Sequence, residues 1–181
     1  MINRLIVFLL FVSNLSISAG FIAGTKVATP LGYTAIDRLR IGDYVKGIDR
    51  NGRTIFKMVR AVRTRLTDQG SVVQIADQSI GCCQEQRWYL AHERKWVSTA
   101  DLDPGNQVFD LYGHRLQITN IEDLQQQQIV FDIQVDGEPN YFVTEREIVV
   151  HNFAPGRLHS TTLRYFFIII ISTSKYVENA Q

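Results

Sequence analysis

The chain has little of what braces or anchors a small protein covalently or in a membrane. Its 181 residues hold two cysteines, Cys82 and Cys83, and they are adjacent. Neighbouring cysteines close only a strained ring, so no structural disulfide is expected and the pair reads as two small hydrophobes on a strand. No Cys/His group has metal-ligand spacing, so neither a metal nor another cofactor is implied. The formal charge of +1 gives no bulk attraction to nucleic acid, which is excluded as a charge-driven partner. A Ser-His-Asp order, a carboxylate pair and a phosphate-binding loop are all missing, so an enzyme acting on other molecules is not indicated. Helical periodicity is nearly absent, and short turns at Ile36-Asp-Arg-Leu39 or Ala100-Asp-Leu102 are all that is expected. The two apolar runs, residues 5–12 and 165–171, are too short to cross a bilayer comfortably.

What is present begins with a leader. Met1-Ile-Asn-Arg4 is a short basic start, residues 5–12 are apolar, and Ser13-Asn-Leu-Ser-Ile-Ser-Ala-Gly20 is small and polar. That is the pattern of a secretory signal peptide. It divides the chain into a signal segment 1–19, a domain 20–152 and an apolar tail 153–181, and it implies secretion or residence in the cell envelope. An uncleaved anchor is the competing reading, and membrane contact is expected through this segment alone. The rest is rich in aromatic and β-branched residues and has room for one domain of ordinary size.

A repeat is visible within that domain. Leu39-Arg-Ile-Gly42-Asp43-Tyr-Val45 matches Leu102-Asp-Pro-Gly105-Asn106-Gln-Val108. Each copy is followed by a turn containing glycine, Asn51-Gly52 and then Tyr112-Gly113. Each resumes as an alternating strand, Thr54-Ile-Phe-Lys-Met-Val and Arg115-Leu-Gln-Ile-Thr-Asn-Ile. Two copies of a β-unit predict an all-β domain whose halves are related by a pseudo-two-fold. Gln125 to Gln128 reads as a loop entering the next strand.

The chemistry centres on His151-Asn152, which ends the apolar strand Glu147-Ile-Val-Val. An asparagine amide nitrogen can attack its own carbonyl carbon, close a succinimide and release the residue that follows. The amide is a poor nucleophile, and an imidazole beside it assists by donating to the carbonyl oxygen or the leaving amide. On the dipeptide alone, a plain strand-closing turn accounts for Asn152 as well.

The segment Val130-Phe-Asp-Ile-Gln-Val-Asp-Gly-Glu-Pro-Asn-Tyr-Phe-Val, running on to His151-Asn152, resembles the C-terminal splicing motif of the Hint family, which comprises inteins and Hedgehog-type autoprocessing domains. Gly20-Phe-Ile-Ala-Gly-Thr-Lys-Val resembles the family's start, as does the later Ile-x-x-Leu-x-x-Gly-Asp-x-Val. Arg87-Trp-Tyr-Leu and Lys95-Trp-Val-Ser-Thr-Ala-Asp-Leu resemble its middle block. The likeness runs from residue 20 to 153. It implies a curled all-β fold that brings both ends of the domain to one central cleft, holding Gly20, Gln86, Asp132 and Asn152.

Carried over residue by residue, the resemblance is incomplete. The first nucleophile should be Cys, Ser or Thr, and it is Gly20. The acceptor after Asn152 should be of the same kind, and it is Phe153. The middle block's Thr-x-x-His corresponds to Cys83-Gln84-Glu85-Gln86, where Gln86 can donate a hydrogen bond but cannot shuttle a proton. A second family histidine is replaced by Pro139. His92 sits on a charged stretch that reads as a solvated turn. Asp132, His151 and Asn152 match. The acid at Asp132 tunes cleft nucleophiles in related inteins, although strand alternation equally allows it to be a solvated carboxylate. The resemblance therefore implies a splicing-defective module. Its remaining chemistry is cleavage at Asn152–Phe153, with its own tail as substrate in cis. A catalytically inactive β-rich binding or structural module is the alternative. The tail is too short for a toxin domain of the sort that some Hint modules release.

Overall fold

The computed structural model describes residues 19–152. The leader up to residue 18, Phe153 and the rest of the tail lie outside the described residues. Along the chain run β1 (Phe21–Ile22), β2 (Lys26–Thr29), β3 (Gly32–Ala35), a 3-10 turn (Ile36–Arg38), β4 (Tyr44–Ile48), β5 (Thr54–Thr67) and β6 (Gly70–Ile75). A second series follows: β7 (Gln78–Cys83), β8 (Arg87–Leu90), β9 (Lys95–Ser98), a 3-10 turn (Thr99–Asp101), β10 (Gln107–Phe109), β11 (Arg115–Leu124) and β12 (Gln128–Val135). The hairpin β13 (Asn140–Val143) and β14 (Ile148–His151) completes the described chain.

The two series are copies. The strand path is β3-β2-β13-β14-β8-β10-β11-β6-β7-β1-β12-β5-β4, with β9 on β8. Exchanging β1–β6 with β7–β12 maps β5·β12 onto β11·β6, and β1·β12 onto β7·β6. The pseudo-two-fold passes through the β1·β7 contact, where Phe21 faces Cys82. Each half therefore lends a long strand to the other.

Local chemistry repeats with the topology. Asp43 Oδ2 accepts the Arg40 N–H at 2.8 Å, and Asn106 Oδ1 accepts the Asp103 N–H at 2.9 Å. Side chains of this type favour turns because they take up backbone donors locally. Between the paired residues, Gly42 and Gly105 have φ of 97° and 96°, a left-handed conformation open to glycine without strain. Further on, Asp49 Oδ1 accepts the N–H groups of Asn51 and Arg53, and Asp110 Oδ1 those of Tyr112 and His114. These turns set the alternating strands into register.

The core lies where the halves meet. Phe21 is fully buried with its ring edge-on to Trp88 at 5.9 Å and to Tyr141 at 6.4 Å. Aromatic pairs in such geometry add roughly 0.5–1.5 kcal/mol beyond their burial. Trp88 Nε1 donates to Thr99 Oγ1 at 2.9 Å, so the buried indole keeps a partner. The two-residue β1 is thereby wedged between β7 and β12, and the residue before it is carried into the cleft. Cys82 and Cys83 are buried thiols on β7, not joined in a disulfide.

Candidate functional site

Three strands deliver the site. β1 brings Gly20, β12 brings Asp132 and β14 brings His151 and Asn152. In the β1·β12 register Phe21 faces Phe131 and Ile22 faces Val130. Continued by one residue, that register sets Gly20 against Asp132. Asn152 reaches the same strand, because its Nδ2 donates to Ile133 O and its backbone N–H donates to Pro139 O at 2.7 Å. The two ends of the domain thus meet on neighbouring residues of β12. Gly20 is buried, and Ala19 and Asn152 are 1% and 3% exposed.

Asp132 is buried at 4% exposure, which decides against the solvated carboxylate that alternation had left open. It lies near the fully buried Tyr141, whose hydroxyl has no hydrogen-bond partner among the described residues. Burial first, and then the charge of Asp132, push the Tyr141 hydroxyl far above the usual phenol range. Tyr141 is a site residue that the sequence reading missed. Only its place one residue into β13, the strand paired with β14, could have pointed to it.

Gln86 reaches the C-terminal end of the site. Its Nε2 donates to Arg87 O at 3.1 Å and to His151 O at 3.3 Å, while its Oε1 is buried without a partner. The amide is turned toward the C-terminal junction, not toward the peptide before Gly20. That peptide's neighbour, Gly20 O, accepts the Cys83 N–H at 3.0 Å.

His151 is packed between β8 and β13, paired with Arg87 on one side and Asn140 on the other. Its ring lies 4.9 Å from that of Trp96, tilted by 56°. Desolvation, helped by the Arg87 charge, pushes its pKa down to about 4. The imidazole is neutral at neutral pH, and its Nδ1 is buried without a partner. A neutral ring can accept a proton and pass one on.

Gly20 has no nucleophile and little room for one. A Cβ there would lie 3.1 Å from Val130 Cβ and 3.2 Å from Phe131 O. His92 is exposed on the turn after β8, apart from the cleft. Among the described residues no group of His, Cys, Asp and Glu converges as a metal-ligand set, and no helix is long and apolar enough to cross a membrane.

Known structures share this architecture. The bacterial intein-like domain from Clostridium thermocellum is 25% identical, with a TM-score of 0.67 over 74% of this chain and 98% of that one. A DnaB intein from Synechocystis sp. PCC 6803 aligns with a TM-score of 0.64 at 14% identity, covering 76% of this chain and all of the other. The gp41-1 intein does so at 0.61 and 21% identity, over 74% and 98% of the two chains. No curated protein matches the chain. A model of the pretoxin Hint domain matches residues 26–153. With the ends of the domain meeting on one strand of a duplicated, curled β-fold, the chain belongs to the pretoxin Hint domain family and is an intein-like domain related to protein splicing and autoprocessing.

Proposed function

We propose that the domain cuts its own chain between Asn152 and Phe153 and does not splice. The observation that carries this is the burial of Asn152 in the cleft, with its side-chain amide anchored on Ile133 O and its backbone on Pro139 O. Anchoring fixes the nucleophile beside its own carbonyl, which removes part of the entropy cost of ring closure. Asn152 Nδ2 bonds to the Asn152 carbonyl carbon, and the bond to the Phe153 nitrogen breaks. His151, neutral in this setting, takes the proton from the amide nitrogen and returns it to the departing amine. The products are a domain ending in a succinimide, which water opens, and a tail with a free Phe153 amine. Gly20 and Phe153 supply neither the first nucleophile nor the acceptor, so no segment is joined. The leader pattern makes the secreted or envelope-bound protein the setting for this step, with leader removal near Gly20.

Intact mass of the purified protein over a long incubation tests the reading. The expected species is a chain ending at Asn152. Asn152→Ala should show none of it, because no other group supplies the ring-closing amide. His151→Ala should slow its appearance by about 10²–10⁴-fold. Cleavage of Asn152→Ala at the wild-type rate would sink the mechanism. A second reading, an inactive β-rich scaffold, is favoured by the closed space at Gly20. It takes over if the wild type shows no cleavage.

A further inference from the structure

Lys57 is the most unusual charged group outside the cleft. It lies on β5 at 2% exposure, a rare setting for a lysine that has no carboxylate in direct contact. Its Nζ donates to Glu138 O at 2.6 Å, to Asn140 O at 3.1 Å and to Asn140 Oδ1 at 2.9 Å. Three donors meet three neutral oxygens. Asn140 is fixed in turn, since its Oδ1 accepts the Ile48 N–H at 2.7 Å and its Nδ2 donates to Ile48 O at 3.2 Å. Space has been left for the contact. A Cβ at Gly47 would lie 2.6 Å from Asn140 O and 2.9 Å from Lys57 Cε.

The residues gripped are 138 and 140. Between them stands Pro139, whose carbonyl takes the Asn152 N–H. Asn140 also faces His151 in the β13·β14 register. We infer that Lys57 is a positioning residue, whose buried ammonium clamps residues 138–140 so that the carbonyl of Pro139 holds the backbone of Asn152 in the cleft. This rests on the proposed cleavage only for its consequence in rate; the positioning of Asn152 can be read separately.

Charge makes the clamp adjustable. Desolvation brings the Lys57 pKa down to about 8, against the raising effect of Glu138 and Asp49. The groups that face it from the packed elements are few. Glu138, from the turn before β13, and Asp49, just after β4, are carboxylates ion-paired to Arg50 and Arg53. Lys46 on β4 is turned to Glu147. Tyr141 on β13 stays protonated and His151 on β14 stays neutral. Lys57 is the member of this set that changes charge between about pH 7 and 9. Its neutral amine has two hydrogens for three oxygens and loses the strength that charge lends to each bond.

The test uses the full chain and two readouts, hydrogen exchange at the Asn152 amide and the rate of cleavage after Asn152. Lys57→Met keeps the stem and removes the charge, leaving Glu138 O, Asn140 O and Asn140 Oδ1 without that donor. It should raise exchange at Asn152 about tenfold, equivalent to about 1.4 kcal/mol, and slow cleavage. In the wild type, raising the pH from 7 to 9 should speed Asn152 exchange beyond its intrinsic dependence, and Lys57→Met should lack that excess. If the wild type does not cleave, the exchange measurements alone decide the positioning, and only the proposed function fails. Unchanged Asn152 exchange in Lys57→Met, or the same pH excess in both proteins, overturns the inference. Should Lys57→Met fail to fold, the wild-type pH series decides it.

Discussion

His151 is kept uncharged by burial and by Arg87, and this has a cost that pH reveals. In the unfolded chain the imidazole takes up a proton near its ordinary value of 6.5; in the folded domain it does so only near 4. Between those values the unfolded state binds more protons, so stability falls as the pH drops from about 6.5 toward 4. The full effect is on the order of 3 kcal/mol, reached at and below the lower value. Urea unfolding at pH 7.5, 5.5 and 4.5 should show this loss in the wild type and a flatter course in His151→Gln. Equal slopes in the two proteins would contradict it. Gly20 makes a second case. A cysteine there meets Val130 and the Phe131 carbonyl at 3.1–3.2 Å, and overpacking of this kind costs about 1–3 kcal/mol. Gly20→Cys should lower the melting temperature, Val130→Ala should leave most of that loss in place in the double variant because alanine keeps the Cβ that meets the new side chain, and neither should splice, because Phe153 cannot accept an acyl group. A joined product from Gly20→Cys would show that the loss of the nucleophile is the chain's only defect.

At the level of elements, legibility follows how local the cause is. The Leu-x-x-Gly-polar-x-Val units could be read because the turn is made by the residues in it. Asp43 and Asn106 bind backbone only three residues away, and both short turns at residues 36–39 and 99–102 follow from the same pattern. His151 and Asn152 could be singled out because the chemistry proposed for them depends on adjacency. The partner of Gln86, and Tyr141 and Lys57 altogether, were not, since each contact is made across a sheet. Gln86 reaches residue 151, Tyr141 lies beside Asp132, and Lys57 reaches residues 138 and 140. A partial sign of Lys57 was present. Alternation along Thr54-Ile-Phe-Lys-Met-Val puts it on the face of Val59, which is fully buried. An inward lysine requires acceptors, but the sequence does not say that those acceptors are backbone carbonyls 81 and 83 positions away.

For the whole molecule, the exchange of long strands between the halves decides how it folds. β12 pairs with β5 along residues 128–135, and β11 with β6 along 70–75. Residues 19–76 alone would leave β5 without β12 and β6 without β11, and residues 77–152 alone would leave β12 without β1 and β5, and β11 without β6. Each fragment would expose backbone donors and acceptors along a strand, and much of the apolar face that meets the other half. The cost of ordering its backbone, roughly 1–2 kcal/mol per residue, would not be met. The turn at Ala76 and Asp77 joins the halves, with Ala76 in a left-handed conformation at φ 52°, and it is the natural place to divide them. Fragments 19–76 and 77–181 should each give the circular dichroism of an unfolded chain. Mixed at equal concentration they should recover the strand spectrum, with a transition midpoint that rises with concentration because association and folding are then one step. If cleavage after Asn152 occurs, it should appear in the mixture and not in 77–181 alone, since β12, which takes the Asn152 amide on Ile133 O, is flanked by β1 and β5 of the first fragment. A fragment 77–181 that folds and resists protease without its partner would show that the halves are independent units, and the cleft would then have to be understood from the second half alone.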